Sequence, residues 1–302
     1  MKRDFLTLLS FSARELEHVL QRAAEFKSMV RERRCPALFK GCILGMIFEK
    51  SSTRTRVSFE ASMYRLGGHA IYLNQQMSQL GRGETYADTA RVLSGYADIL
   101  VLRTFSHEAL EELARAATVP VINGLTDLHH PCQLVADLLT LKENGLELSR
   151  MKIAYVGDAN NMCHSWINAS EIFGFDLRIA TPAEFATDDR ILKAASKLKT
   201  ITVSDDPRQA VLDADAIYTD TWFSMGQEIA DEKRLTFESF QINRGLLTWA
   251  KPKALVMHCL PAHRGEEITA EVLDGPQSVV FAQSENRLYA HMAVMEFLLA
   301  AK

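Results

Sequence analysis

The sequence has no long run of apolar residues, and no stretch approaches the roughly 20 residues that a helix needs to cross a bilayer. It also has no internal repeat and no low-complexity tract. Its first residues, MKRDFLTLLSFSARELE, contain no apolar core of signal-peptide length. We therefore expect a cytoplasmic protein without a membrane partner.

Paired cysteines, excess positive charge and nucleotide-binding loops are also missing. The five cysteines are scattered, with no CxxC pair, which argues against a disulfide framework. The net charge is −4, whereas non-specific nucleic-acid binding needs a basic surface. Neither GxxxxGK[ST] nor GxGxxG occurs, so nucleoside triphosphate and dinucleotide sites are disfavoured. A local cluster of cations still allows a small anionic substrate.

The chain has 302 residues, of which 47% are hydrophobic, enough for two domains with cores of their own. Short apolar runs alternate with helical patterns. The strands are predicted at 42–48, 97–103, 119–124, 152–158, 176–182, 200–205, 215–220, 254–260 and 278–282. Such alternation is typical of an α/β fold with mainly parallel sheets flanked by helices.

The predicted domain boundary lies between residues 148 and 149. The first domain would cover 1–148 and the second 149–302, with a C-terminal helix at about 285–302 packing back on the first domain. Ligands bind at the carboxyl ends of parallel strands. We expect the active site in a cleft between the domains, because the polar motifs follow the predicted strands.

The segment EKSSTRTR (49–56) follows the first predicted strand and opens a helix. Ser52 and its neighbours are good N-cap residues, and the helix start offers N–H groups and the positive end of a dipole. Arg54 and Arg56 add bidentate positive charge. This combination suits a phosphate group, although a capped helix with surface arginines explains the same residues.

Further polar features accompany this segment. Gln79 lies in the glycine-bearing loop QLGRGE, which by itself is typical of a mobile surface loop. Arg103 ends a predicted strand, and HHPCQ (129–133) starts a helix in which Pro131 fits the first turn. Arg287 follows the predicted strand 278–282.

The motif HCLPAHRGEE (258–267) follows another predicted strand and allows four interpretations. His258, Cys259 and His263 as metal ligands match no familiar zinc spacing. Cys259 as a nucleophile would need an activating base. The thiol could instead orient a polar substrate, or be a buried structural cysteine.

Two more polar segments follow predicted strands. GDANN (157–161) offers Asn160 and Asn161 to a carboxylate or an ammonium group, although these are also ordinary turn and cap residues. DTWFSMG (220–226) offers the Asp220 carboxylate to an ammonium group, and Gly226 suggests a loop that bends over a ligand.

Taken in order, SSTRTRVSFE, HPCQ, DTWFSMG and HCLPAHRGEE closely resemble the ornithine carbamoyltransferase family. The first two motifs are shared in outline with aspartate carbamoyltransferases, whereas the SMG loop and HCLP resemble the ornithine branch. The likeness covers nearly the whole chain. Two departures are Ala159, where the family commonly has Gly, and Tyr289, where a His is more usual.

The resemblance implies that carbamoyl phosphate and ornithine bind in turn and give citrulline and phosphate, within arginine metabolism and with biosynthesis as the expected role. It implies no metal and no organic cofactor, and a homotrimer or a higher assembly of trimers. The carbamoyl phosphate contacts would be Ser52, Thr53, Arg54, Thr55, Gln79, Arg103, His130, Pro131, Cys132, Gln133, Cys259, Leu260 and Arg287. The ornithine contacts would be Asn161, Asp220, Ser224 and Met225.

Within this set the catalytic candidates are Arg54, Arg103, His130, Asp220 and Cys259. The arginines and His130 would stabilise charge on the phosphate and the carbonyl oxygen. Asp220 is expected at the α-ammonium and Cys259 near the attacking amine. Three alternatives remain: a carbamoyltransferase for another amine such as putrescine, N-acetylornithine or aspartate, a non-catalytic sensor of an anionic metabolite, and a metal-dependent hydrolase.

Overall fold

The computed structural model describes residues 2–185, 196–223 and 231–300, and these form two compact units. Unit 1 contains the residues up to Leu139 together with those from Glu285 onward, and unit 2 runs from Thr140 to Ser284. Unit 1 is therefore built from two separate stretches of the chain. Within the described ranges, no helix has the length and apolar character needed to cross a membrane.

Unit 1 is built on four parallel strands in the order β2-β1-β3-β4. They are β1 Ile43–Phe48, β2 His69–Asn74, β3 Ile99–Arg103 and β4 Val121–Leu125. The helices that contribute to the unit are α1 Ala13–Arg31, α2 Thr53–Arg65, α3 Tyr86–Ser94, α4 His107–Ala116, α5 Pro131–Glu143 and α11 Val280–Ala300. The strands β1 and β3 are almost wholly buried, which explains their continuous apolar runs.

Unit 2 is built on five parallel strands in the order β7-β6-β5-β8-β9. They are β5 Lys152–Val156, β6 Asp176–Ala180, β7 Ile201–Ser204, β8 Ala216–Thr219 and β9 Leu255–His258. The described helices are α6 Asn161–Phe173, α7 Pro207–Val211, α8 Asp231–Phe237, α9 Arg244–Leu247 and α10 Ala270–Leu273. Both sheets agree with the predicted α/β class.

Most of the predicted strands are present, but the one at 278–282 is wrong. Ser278 makes a single bridge to Val256, and α11 begins at Val280, so Arg287 lies on a helix. A short apolar run fits a strand and a buried helix equally well. In this segment the strong helix formers that follow favour the helix. The strand β2 and the helix α3 were not predicted from the sequence. The division at residue 148/149 stays a prediction.

Candidate active site

Each sheet reverses its strand order at one place, and ligands of open parallel sheets bind at the carboxyl ends of the strands there. In unit 1, β1 pairs with β2 on one side and β3 on the other, so the reversal lies between β1 and β3. In unit 2 it lies between β5 and β8. EKSSTRTR and Arg103 are at the first of these points, and GDANN and Asp220 are at the second.

The unit 1 point carries the N-terminus of α2. Ser52 is its N-cap: the Ser52 Oγ accepts the Thr55 N–H at 3.2 Å and lies 3.0 Å from the Thr55 Oγ1. Thr53 and Arg54 occupy the first turn, where N–H groups have no partner within the helix. Thr53 is exposed, Arg54 half-buried and Thr55 buried. This helix start therefore presents N–H groups and the positive end of its dipole, the features that suit an anion.

Two buried guanidinium groups converge on the Thr55 hydroxyl. Arg103 donates to the Thr55 Oγ1 at 3.4 Å from the end of β3, where a register shift interrupts its pairing with β4. Arg287 donates to the same oxygen at 2.7 Å and to the Gln133 Oε1 at 3.0 Å. We call Ser52, Thr55, Arg103, Gln133 and Arg287 the Thr55 cluster. Its two like charges at one oxygen favour an anion beside them.

The start of α5 adjoins this cluster. Pro131 begins the helix, and Gln133 is fixed by its Nε2, which donates to the Asp137 Oδ1 at 2.8 Å. Burial raises the pKa of Cys132 to about 12, and its thiol donates to the Asn123 carbonyl at 3.5 Å. The Cys132 side chain therefore serves the core.

His130 is buried and neutral. Burial, followed by the positive charges of Arg287 and Arg103, holds its pKa well below the ordinary value. A neutral imidazole carries one N–H and can donate a hydrogen bond without adding a third charge. His130 thus suits a polarised carbonyl oxygen better than a proton-transfer role at neutral pH.

A second buried histidine, His291, was missed by the sequence analysis. It lies one helical turn after Arg287, and its ring stacks on Phe59 with centroids 3.7 Å apart and planes 6° apart. The Ser62 hydroxyl donates to the Leu288 carbonyl at 2.8 Å. Together these contacts join α2 and α11 and hold Arg287 at Thr55. The i, i+4 spacing from Arg287 was the available signal.

Acid should destabilise unit 1 through its buried histidines. Burial, and then Arg287, lowers the pKa of His291 well below 6.5, so below that pH the unfolded chain binds a proton that the folded chain does not. Stability is then lost as pH falls, by about 1.4 kcal/mol per pH unit for each such histidine. Urea titrations between pH 7 and 5 should show that the free energy of unfolding falls less steeply with pH in His291→Gln than in the parent. His69→Gln, at an exposed histidine, is the control. Equal slopes for His291→Gln and the parent would contradict this.

Two predicted residues lie outside the cluster. Gln79 is exposed beside the 3₁₀ turn Leu80–Arg82, where its carbonyl accepts N–H groups and its side chain makes no hydrogen bond with the described residues. Arg56 pairs with Glu60 at 2.9 Å and lies over the Tyr72 ring at 3.9 Å. The Arg56 guanidinium is therefore engaged by Glu60 and Tyr72.

At the unit 2 switch point, the Asp220 carboxylate accepts three hydrogen bonds. Its Oδ1 accepts the Thr221 N–H at 2.8 Å and the Cys259 thiol at 2.9 Å. Its Oδ2 accepts the Asn160 Nδ2 at 2.8 Å. The Cys259 thiol is therefore joined to the Asp220 carboxylate by a direct hydrogen bond. We call Tyr155, Asn160, Asp220 and Cys259 the Asp220 cluster.

The loop from β5 to α6 approaches β8 closely. Gly157 has φ of 132°, and a Cβ there would lie 3.2 Å from the Thr219 Oγ1. Glycine is thus required at the first position of GDANN. Asn160 caps α6 by accepting the Met162 N–H at 2.9 Å, and Asn161 is the first helical residue and half-buried.

The segment after β9 is fixed by a buried pair. The His258 Nε2 lies 3.0 Å from the Glu267 Oε1, and its Nδ1 accepts the Leu260 N–H at 2.8 Å. Leu260 has a left-handed φ of 58°, a strained conformation that recurs at functional sites. His258 therefore acts on the backbone at Leu260 rather than on a ligand.

The candidate metal ligands fall into two groups. Asp220, His258 and Cys259 have ligand atoms within 4.8 Å of one another, and His263 belongs to a separate group with Glu266 and Glu267. Both ring nitrogens of His258 are already engaged, so a metal would have to displace one of these hydrogen bonds. Ser224 and Met225 lie outside the described residues.

The fold defines a class: an α/β protein of two open parallel sheets, each with polar side chains at its switch point. Two family models cover nearly the whole chain, the carbamoyl-P binding domain at residues 3–143 and the Asp/Orn binding domain at 149–298. The chain belongs to the aspartate/ornithine carbamoyltransferase family.

Several relatives are similar over their full length. An ornithine carbamoyltransferase of Methanoculleus marisnigri is 50% identical, with 99% of this chain and 98% of that protein covered. One of Bacillus subtilis is 50% identical, with 98% and 94% covered. The solved ornithine carbamoyltransferase of Pyrococcus furiosus has a TM-score of 0.95 at 48% identity, with 100% of this chain and 98% of that chain covered.

Proposed function

We propose that this protein transfers the carbamoyl group of carbamoyl phosphate to the side-chain amine of L-ornithine, giving L-citrulline and phosphate. One observation carries the proposal: a cationic cluster occupies one switch point and the Asp220 carboxylate lies at the other. Carbamoyl phosphate is an anion and ornithine carries ammonium groups, so the two sites have complementary charges for the two substrates. Family membership supports the same activity.

The phosphate would bind at the Thr55 cluster. Arg54, Arg103 and Arg287 supply charge, and the first turn of α2 supplies N–H groups and the positive end of its dipole. Ser52 and Thr53 add hydroxyl donors. Ser52, Arg103 and Arg287 are held by hydrogen bonds to Thr55 before the substrate arrives, so they would stabilise the leaving phosphate with little reorganisation.

The carbonyl oxygen would face Thr55, Arg103 and His130. Negative charge develops on this oxygen as the amine attacks, and preorganised donors lower the barrier. Because His130 is neutral, it donates a hydrogen bond and leaves the positive charge to the arginines. The backbone of the Pro131–Gln133 turn, Leu260 and the Gln79 loop are proposed further contacts.

The amine would bind at the Asp220 cluster. Only a neutral amine attacks, so the side-chain ammonium, with a pKa of about 10 by analogy with lysine, must first lose a proton. Asp220 is proposed to bind the α-ammonium, Cys259 to lie near the attacking nitrogen, and Asn161, Ser224 and Met225 to complete the contacts. A C–N bond then forms and the C–O bond to phosphate breaks. The second proton of the attacking nitrogen leaves with phosphate or water.

The assay that tests the proposal offers the protein carbamoyl phosphate with ornithine, putrescine, N-acetylornithine or aspartate, and detects the carbamoylated product by colour. We expect citrulline from ornithine, unchanged by EDTA. Putrescine lacks the α-carboxylate of ornithine, and N-acetylornithine lacks its α-ammonium. Each amine would therefore lose a group by which ornithine is proposed to bind. Preference for another amine, or no product at all, would refute the assignment. Loss of activity in EDTA would restore the metal-dependent alternative.

We also propose a homotrimer, or an assembly of trimers, in the cytoplasm with a role in arginine biosynthesis. Large apolar side chains are exposed on unit 1, among them Val57, Tyr64, Val92 and Tyr96, and burial between copies would remove them from water. A relative in Pyrococcus furiosus is named as an anabolic ornithine carbamoyltransferase. Light scattering should give a multiple of three chain masses, and a monomer would contradict the assembly.

A further inference from the structure

The Asp220 carboxylate is held by a chain of two side chains, the half-buried Asn160 and the buried Tyr155. The Asn160 amide donates to the Asp220 Oδ2 at 2.8 Å. The Tyr155 hydroxyl lies 3.0 Å from the Asn160 Oδ1 and 2.8 Å from the Asp158 carbonyl, with its one hydrogen between them. Tyr155 is completely buried, so this end of the chain is fixed in the core of unit 2.

The orientation of the Asn160 amide is determined on both sides. Its Oδ1 accepts the Met162 N–H at 2.9 Å as the cap of α6, and the Tyr155 hydroxyl approaches the same oxygen. A flipped amide would turn its NH₂ toward the Met162 N–H and its oxygen toward the Asp220 Oδ2, creating a donor–donor and an acceptor–acceptor contact. Only one orientation therefore satisfies all partners.

This arrangement separates the roles of the two adjacent asparagines. Both polar atoms of the Asn160 side chain are used within the protein. Asn161 starts α6 and is half-buried, and it keeps its proposed role as a contact of ornithine.

We propose that Asn160 is a positioning residue that links Tyr155 to Asp220 and fixes the carboxylate that binds the α-ammonium of the amino-acid substrate. The inference rests on the proposed function and adds to it a residue that the sequence analysis did not separate from Asn161. Burial also raises the pKa of Tyr155 well above its ordinary value, which keeps the hydroxyl proton in place.

Asn160→Ser isolates the contact, because serine still caps α6 but offers no second donor to Asp220. We expect the ornithine KM to rise about tenfold, as for loss of a hydrogen bond to a charged group. The carbamoyl phosphate KM should not change. Asn160→Asp keeps the cap too, but sets a second carboxylate against Asp220 and should weaken ornithine binding further. Tyr155→Phe, which removes only the hydroxyl, should act in the same direction more weakly.

Two competitive inhibitors show which end of the substrate is affected. L-Norvaline keeps the α-ammonium and α-carboxylate without the nucleophile, and its inhibition constant should rise with the ornithine KM in Asn160→Ser. 5-Aminopentanoate lacks the α-ammonium, and its inhibition constant should stay as in the parent. Asn243→Ser is the matched control, because Asn243 caps α9 through the Leu246 N–H in the same unit.

Distinct outcomes would overturn the proposal. Suppose that the parent protein is active and that Asn160→Ser changes neither the norvaline inhibition constant nor the ornithine KM. Asn160 would then have no positioning role, and the proposed function would stand. An equal rise for 5-aminopentanoate would mean that Asn160 supports the site generally rather than through the α-ammonium. A parent protein that makes no citrulline would overturn the proposed function and this inference together.

Discussion

Arg287→Gln should lower kcat/KM for carbamoyl phosphate by about 100- to 1,000-fold, the usual result of removing a preorganised donor from a developing charge. Arg287 is 3% exposed and its guanidinium binds both the Thr55 Oγ1 and the Gln133 Oε1, so its loss removes a charge and releases two neighbouring side chains. Glutamine retains length and polarity without the charge. Steady-state kinetics with carbamoyl phosphate as the varied substrate measures the effect.

The control for Arg287 is an arginine that binds the same helix from outside. Arg22 of α1 binds the Glu296 carboxylate of α11 through two nitrogens at 2.7 Å each, more than two turns beyond Arg287. Arg22→Gln should lower the melting temperature and leave the carbamoyl phosphate KM unchanged. If Arg287→Gln behaved like Arg22→Gln, the role of Arg287 would be structural and its assignment to the phosphate would fail.

Asp220→Asn should raise the ornithine KM by about 100-fold, within the range of 2–5 kcal/mol for removal of one partner of a buried charge pair. Three donors meet the Asp220 carboxylate, from Thr221, Asn160 and Cys259. An asparagine accepts hydrogen bonds on one side only, so its NH₂ would face at least one of these donors. Both the charge and the arrangement of the cluster are lost, which makes this the largest expected effect in unit 2.

Asp215 offers a matched Asp→Asn control at the opposite end of β8. Its carboxylate accepts the Lys152 N–H at 2.8 Å and the Lys251 ammonium at 2.6 Å. Asp215→Asn should reduce the free energy of unfolding without changing either KM. An ornithine KM for Asp220→Asn within a few-fold of the parent would exclude this carboxylate from the amine site.

The sequence was sufficient for the α/β class and for most strands, because buried parallel strands are continuous apolar runs whose ends are marked by polar motifs. It placed Ser52, Arg103 and Asp220 at strand ends, and the structure has them there. The motifs identified the family that the family models also match.

What the sequence could not supply depends on tertiary context. The apolar segment 278–282 begins a helix, since a few apolar residues fit either element until their neighbours are packed. Strand β2 contains only a short apolar run, and none of its residues is buried. The difference between Asn160 and Asn161 follows from Tyr155 and Asp220, which are close to Asn160 only after folding.

The discontinuity of unit 1 has a consequence for biosynthesis. During translation the ribosome makes all of residues 140–284 before it adds Arg287, so unit 2 can fold while unit 1 still lacks α11. A nascent or truncated chain without that helix would have no Arg287 at Thr55 and would be inert toward the donor. By the proposed function, the protein would then gain its chemical competence only after α11 has been made.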